Sequence, residues 1–313
     1  MVARFEALTR PTAGIDFRKP SKQRRIGLGL AFIGVVIAVV TLIANIAAAG
    51  DVGDGTDSTR ETLAWSFGLT TTAFGTIKLG IAVILVGILV RLWLRVDSVK
   101  ESLPHLRGPG NGAPAAAGTL NTPWGKATAT TSAPGPLPVH KMAKTMWFPM
   151  LAMGFMALMA GLVVSLVAAG ESGGGFVSAF AWAQGLQFLG EAMLLGGIAF
   201  LLGSILAALR AGGGEVQESL GITVKTLKMP LSAKIFVGLM MVGMMLGVLQ
   251  FILYIFVATD ASASPAAWFA WLGPLRELSL GLILASIVLA LYTIGTALGF
   301  QFNRIKEIIV EGR

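Results

Sequence analysis

The chain has 313 residues, of which 55% are hydrophobic and only 13% are charged. Ordinary soluble domains carry about 25% charged residues, so this composition argues against a soluble protein and predicts a membrane protein. Cysteine is absent, which excludes disulfides, thiolate metal ligands and a cysteine nucleophile. The formal net charge of +8 raises the question of an acidic partner, which the positions of the basic residues answer.

Six runs of the sequence are long and apolar enough to cross a bilayer. A hydrocarbon core of about 30 Å requires roughly 20 apolar helical residues. Four of the runs contain no charge, whereas the second contains Lys78 and the fourth contains Glu191. The predicted fold is an all-α integral membrane protein with transmembrane helices at residues 26–49, 67–90, 145–169, 183–209, 235–258 and 278–302.

A basic segment, residues 1–25, precedes the first span. The span could instead be a signal peptide, because Ala47, Ala48 and Ala49 resemble a small-residue cleavage site. However, signal-peptide apolar regions have about 7 to 15 residues, and the uncharged run from Ile26 to Gly50 has 25. We therefore expect the first span to be retained as a transmembrane helix.

The basic residues predict the orientation. Of the 24 Lys and Arg residues, 21 lie before the first span, in 91–144, in 210–234 or from Arg304 onward. Such an excess marks cytoplasmic segments, so both termini are predicted to be cytoplasmic. Attraction to anionic lipid is a sufficient use for these bases, and no nucleic-acid partner is expected. We expect a multi-pass protein of the cell membrane, specifically of a prokaryotic plasma membrane.

The three helix pairs share landmarks in the same order, which predicts an internal triplication. An acid follows each first helix, a tryptophan opens each second helix, and a short motif follows each second helix. These landmarks are Asp51, Glu171 and Asp260; Trp65, Trp182 and Trp271; and residues 99–103, 216–220 and 305–309. The repeats are assigned to residues 26–103, 141–229 and 230–313. Each contains two spans, so all three share one orientation.

A parallel threefold repeat of helix pairs in about three hundred residues is similar in outline to the mitochondrial carriers. In that family the repeats surround a central substrate path. The carriers mark their odd-numbered helices with a proline followed by an acid and a base, and no such motif ends the first, third or fifth span here. The resemblance therefore concerns the outline alone and does not assign the chain to that family.

Residues 104–140 form a linker between the first two repeats. Seven of the 13 prolines and six glycines lie between Pro104 and Pro138, which predicts a disordered cytoplasmic tether. The alternative is a docking segment for a cytoplasmic partner. Two glycine triplets, 173–175 and 212–214, lack the strand and helix context of a phosphate-binding loop and are predicted to be turns.

Charged and polar residues near one face of the bilayer form the candidate site. At about 1.5 Å per residue, Lys78 lies roughly 20 Å from Arg91, and Glu191 lies roughly 28 Å from Arg210, so both belong to the outer part of the membrane. They could pair, snorkel separately to the interface, or line a polar outer vestibule. The candidate intramembrane or interfacial cluster comprises Lys78, Gln184, Gln187, Glu191, Arg276 and Glu277.

No motif in the sequence indicates catalysis. The only histidines, His105 and His140, lie in the linker, so haem or metal ligation inside the bundle is not expected. No phosphate-binding motif or histidine-activated nucleophile is present. We expect no catalytic residues, no cofactor and no metal. Small residues also recur every fourth position in several spans, which favours close helix packing within the chain or with another subunit.

These observations predict a noncatalytic polytopic membrane protein, a subunit or scaffold of a membrane complex. Its expected partners are membrane lipid and either other membrane subunits or further copies of itself. The alternative is a transporter or channel that uses Lys78, Glu191, Arg276 and Glu277 at a polar outer mouth. The sequence places no charge nearer the midplane, where transporters commonly bind their substrates, and this favours the subunit.

Overall fold

The computed structural model of the chain describes residues 22–49, 57–106, 118–259 and 265–311. The predicted basic segment 1–25 lies almost wholly outside the described residues, as does 107–117 of the predicted linker. The described elements are α1 (Lys22–Ala49), α2 (Asp57–Leu106), β1 (Gly118–Thr122), β2 (Gly125–Thr130), α3 (Pro138–Ala169), α4 (Gly173–Ser219), β3 (Val224–Leu227), α5 (Leu231–Thr259) and α6 (Pro265–Glu311).

The six helices are long and apolar enough to cross a membrane, which confirms the six predicted spans. Their lengths alternate. The first, third and fifth helices have 28, 32 and 29 residues, whereas the second, fourth and sixth have 50, 47 and 47. At about 1.5 Å per residue the longer helices extend well beyond a 30 Å hydrocarbon layer.

Consecutive helices form three antiparallel hairpins: α1 with α2, α3 with α4, and α5 with α6. Glycines bring the paired backbones into close approach in each hairpin. A Cβ atom added to Gly154 of α3 would lie 2.9 Å from the carbonyl oxygen of Gly190 in α4, and one added to Gly243 of α5 would lie 3.0 Å from the Ser279 carbonyl oxygen in α6. Most of the predicted small-residue positions are therefore occupied by packing within the chain.

Helix α4 is the core of the bundle. It contacts α2, α3, α5 and α6. In its most apolar 18-residue segment 83% of the residues are buried, against 33% for the corresponding segment of α2 and 28% for that of α6. Leu194, Leu201 and Leu202 are fully buried in its centre. The three second helices therefore do not have equivalent surroundings. The structure places a helix at the centre of the bundle, where the mitochondrial carriers have a substrate path.

A small antiparallel sheet, in the order β1-β2-β3, covers one end of the bundle, which we call the sheet end. The opposite end is called the far end. Helix α4 stops abruptly before β3 because Gly221 adopts a left-handed conformation, with φ of +64°. The Gly221 N–H then donates to the Glu218 carbonyl, and the Ile222 N–H donates to the Gln217 carbonyl, which is the Schellman arrangement.

The prediction of a disordered tether was wrong for the described part of the linker. Strands β1 and β2 pair from Gly118 to Ala129, and β2 also pairs with β3 from the following inter-helix connection. Ala127 and Ala129 alternate with threonines and face inward, because both are almost completely buried. The long-range partner strand stabilises a segment whose own composition is poor in large apolar side chains.

The prediction of a turn was also wrong for the glycine triplet 212–214, which lies inside α4. Close neighbours explain why these positions are glycine. A Cβ atom on Gly212 would lie 2.6 Å from Val96 of α2, and Gly214 packs beside Ala133, which follows the sheet. The other triplet, 173–175, begins α4 directly after the exposed Ser172.

Candidate functional site

The candidate site is an ion-pair cluster centred on Glu191 of α4, whose side chain is only 3% exposed. The Lys78 Nζ of α2 donates to one carboxylate oxygen at 2.8 Å. The Arg276 Nη2 of α6 donates to the other at 3.0 Å. One buried carboxylate therefore joins the second helices of all three hairpins. We call these three residues the Glu191 cluster.

The cluster carries a net positive charge, because two cations share one carboxylate. Burial makes each ion pair costly to break, since a charge left without a partner in a low-dielectric medium is strongly destabilised. Arg276 also stacks over the Phe188 ring, with its guanidinium carbon 4.1 Å from the ring centroid. That contact is a cation–π interaction, in which the electron-rich face of the ring attracts the positive charge of the guanidinium.

Gln187 lies one helical turn before Glu191 and is completely buried. Its Nε2 donates to the Gly68 carbonyl of α2 at 3.3 Å, whereas its Oε1 has no hydrogen-bond partner among the described residues. Gln187 therefore extends the contact between α2 and α4 from the ion pairs toward the far end. Among the described residues, no hydrogen bond joins Gln187 to the charged atoms of the Glu191 cluster.

The remaining two predicted residues are peripheral to the Glu191 cluster. Gln184 is half-buried on α4. The side chain of Glu277 is 75% exposed, and its carboxylate lies 3.9 Å from Arg276 Nη1, beyond hydrogen-bond distance. The predicted set thus separates into a buried centre of Lys78, Glu191 and Arg276, a buried neighbour and two surface positions.

An aromatic layer lies between the Glu191 cluster and the far end. The Phe67 ring packs edge-on against Phe180 at 5.5 Å and against Phe188 at 5.9 Å. Phe188 in turn contacts Tyr254 at 5.5 Å, and Tyr254 contacts Phe269. These rings come from α2, α4, α5 and α6, so they pack across the same helices that the cluster joins.

A second polar network, at the sheet end, has no counterpart in the sequence predictions. Arg304 of α6 is almost fully buried, and its Nε donates to Gln217 Oε1 of α4 at 2.9 Å. Its other nitrogens donate to the Thr223 carbonyl and to Glu307. Lys225 of β3 completes the network through Glu307, at 3.2 Å. We call this set the Gln217–Arg304 network.

Sequence reasoning treated Arg304 as one of many bases outside the membrane, so its burial was missed. The available signal was local. Arg304 and Glu307 are separated by three positions and share a helix face, while Gln217 and Glu307 both lie in the repeated motif. The partner of Arg304 lies 87 positions earlier, a separation that local sequence patterns do not report.

The buried carboxylate is occupied by two cations, and within the described ranges no group of three or more His, Asp or Glu side chains could hold a metal ion. Together the six long apolar helices and a cluster buried between them define the class of α-helical polytopic membrane proteins. Comparison with protein-family models, curated proteins and solved structures gives no match in any of the three.

Proposed function

We propose that the protein is a noncatalytic scaffold or subunit of a membrane complex, in which the Glu191 cluster fastens the three helix hairpins together. The observation that carries the proposal is the occupancy of Glu191. Both oxygens of this buried carboxylate bind cations from the other two hairpins. An arrangement in which the buried carboxylate is fully paired within the chain favours a structural role over turnover of a substrate.

The second candidate function is a transporter or channel with a polar outer vestibule. The net positive charge of the cluster favours it. Two cations share one carboxylate, and the charge that is not balanced can attract an anion near the membrane surface. Two observations weigh against it. The aromatic layer lies between the cluster and the far end, and two prominent clefts of the described residues lie at the sheet end and not beside the cluster.

The proposed orientation places the sheet end and both termini in the cytoplasm of a cell with a plasma membrane of the prokaryotic type. The support is that 21 of the 24 basic residues lie before the first span, between the second and third spans, between the fourth and fifth spans, or after the last span. The parts of α2, α4 and α6 that extend beyond the membrane at this end would then lie in the cytoplasm together with the sheet. Lys100 of α2 and Glu215 of α4 form an ion pair within it, at 2.6 Å.

We also propose that the three hairpins arose by triplication. Trp182 follows Trp65 by 117 positions, and Trp271 follows Trp182 by 89. Hydrogen-bonded pairs between α2 and α4 are separated by 113 to 119 positions, and those between α4 and α6 by 85 to 92. Positions that correspond in the proposed repeats therefore lie at similar heights on parallel helices.

The outward faces of α5 and α6 are the proposed contact surfaces for another subunit. They are apolar, and added Cβ atoms at Gly238, Gly281 and Gly295 would meet no atom within 4 Å. A neighbouring helix could therefore approach these backbones closely in the bilayer. Gly29 of α1 and Gly273 of α6 are open in the same way, whereas Gly154, Gly190 and Gly243 are already used for packing inside the chain.

Purification of the full chain from its native membrane in mild detergent tests the proposal. We expect stoichiometric membrane partners or a homo-oligomer after chemical cross-linking, and we expect Gly281→Leu and Gly295→Leu to reduce that recovery. The matched control is Gly203→Ala, an internal position whose added Cβ would meet only the Ala143 methyl group. A lone monomer that raises ion or solute flux in liposomes above the level of empty liposomes would support the transporter instead.

A further inference from the structure

A cleft at the sheet end combines an apolar interior with a cationic rim. It lies between α3, α4, α5 and α6, opens to the outside, and has about 740 Å³ of empty volume when the adjoining open solvent is counted. Leu206, Phe236 and Phe300 line its apolar part. His140, Arg210 and Lys228 line the part beyond the predicted membrane spans. We call this space the basic cleft.

The basic cleft has a marked charge imbalance. None of its 18 lining residues is acidic. Across the described ranges, no carboxylate forms an ion pair with His140, Arg210 or Lys228. The side chain of Lys228 donates from Nζ to the Thr119 hydroxyl at 3.0 Å. The rim can therefore accept an anion without displacing an internal acid.

Arg210 is the residue that most needs a ligand. Its Nε is buried and has no hydrogen-bond partner among the described residues. A buried donor left unpaired costs about 1 to 3 kcal/mol, so native proteins usually satisfy it with another group or a bound molecule. Arginine binds phosphate oxygens through two parallel N–H groups, which suits an anion held at the rim.

We propose that the basic cleft binds one anionic phospholipid, with its phosphate at Arg210 and Lys228 and an acyl chain against Leu206 and Phe236. Leu206, Phe236 and Phe300 lie inside the predicted spans, and Arg210 and Lys228 lie beyond them, so the cleft has the polarity of a lipid at an interface. Basic pockets between transmembrane helices on the cytoplasmic side are known lipid-headgroup sites. The inference does not depend on the proposed scaffold function.

Native mass spectrometry and binding of fluorescent phosphatidylglycerol to the full chain in mild detergent test the site. We expect retention of phosphatidylglycerol over phosphatidylcholine, and about fivefold weaker binding in Arg210→Gln, since one nearby cation contributes about 1 kcal/mol. Lys228→Gln, at an exposed position, should weaken binding by a similar factor and covers the case in which Arg210→Gln does not fold. Lys306→Gln, an exposed base outside the cleft, is the matched control and should bind as the wild type.

A cleft-filling variant separates a lipid from a free anion. Ala297→Phe leaves every rim cation in place but occupies the apolar part, so it should abolish lipid retention. Inorganic phosphate should compete only weakly with phosphatidylglycerol. Binding of inorganic phosphate that is unchanged by Ala297→Phe, without lipid retention, would overturn the proposal. Equal retention of phosphatidylcholine, with no effect of Arg210→Gln and Lys228→Gln, would also overturn it.

Discussion

The Nζ of Lys78 lies 2.8 Å from a carboxylate oxygen of Glu191, although 113 positions separate the two residues in the chain. The two residues belong to different hairpins, and Arg276 of the third hairpin holds the other carboxylate oxygen. The contact therefore reports the assembly of the whole bundle rather than the stability of one helix. This relationship makes Glu191 the position at which changes have the widest structural effect.

The Gln217–Arg304 network should be a second determinant of stability, because Arg304 satisfies groups on α4, on α6 and before β3. We expect Arg304→Met to lower the free energy of unfolding by about 3 kcal/mol, the cost of leaving buried polar partners unpaired. Lys306→Met, an exposed base two positions away, should change it by less than about 0.5 kcal/mol. Thermal unfolding of the detergent-solubilised chain measures both. Equal effects of the two changes would contradict the network.

Close approach of α3 and α4 requires glycine at position 190. A Cβ atom there would lie 2.7 Å from the Gly154 carbonyl oxygen and 2.8 Å from Leu158. We expect Gly190→Ala to lower stability by about 1 to 3 kcal/mol through overpacking. Gly238→Ala, where no atom lies within 4 Å, should be neutral or slightly stabilising because alanine favours helix. A tolerated Gly190→Ala, measured by the same unfolding assay, would show that the hairpin is packed less tightly.

The sheet should protect its backbone from solvent exchange. In hydrogen–deuterium exchange, the hydrogen-bonded amides of β2 and β3, at residues 127–130 and 224–227, should exchange more slowly than exposed loop amides. Thr128→Pro removes a donor of the ladder between β2 and β3, because the backbone groups of residues 126, 128 and 130 face β3, and it should accelerate exchange in β3 as well as in β2. Asn121→Ala, at an exposed position of the outer strand, is the control and should leave β3 unchanged. Rapid exchange throughout residues 118–130 of the wild type would restore the interpretation of a disordered tether.

The number and approximate position of the helices were predictable from the sequence because each span meets the length and polarity demanded by a bilayer. The possible pairing of Lys78 with Glu191 was also accessible, since opposite charges at similar depth stabilise each other. Arg276 was predicted as a member of the cluster, but its pairing with Glu191 was not, because its position in the sequence indicated the membrane boundary and only the packing of α6 against α4 brings it to the carboxylate. The sheet was missed because β3 lies 94 positions from its partner in β2.

The orientation proposed from the basic residues can be tested directly in this cysteine-free chain. Ser172, at the far end, and Ser132, at the sheet end, are both exposed, so either can be replaced by cysteine with little change in packing. In intact cells, an impermeant thiol reagent should label the Ser172→Cys variant and spare the Ser132→Cys variant. Both should react after the membrane is permeabilised. The reverse pattern in intact cells would invert the proposed topology.

A double-mutant cycle on Lys78 and Glu191, with liposome flux measured on the same four proteins, tests the structural role of Glu191 most directly. Lys78→Met should lower stability moderately because Arg276 still balances Glu191. Glu191→Gln should lower it more, because two cations then lose their partner in a medium where a central charge costs about 3 kcal/mol.

The double variant should recover part of the loss, and flux should equal that of empty liposomes for all four proteins. Additive stability losses would contradict a stabilising ion pair between Lys78 and Glu191. Wild-type flux that both single changes abolish and the double change does not restore would contradict the scaffold and favour a transport vestibule.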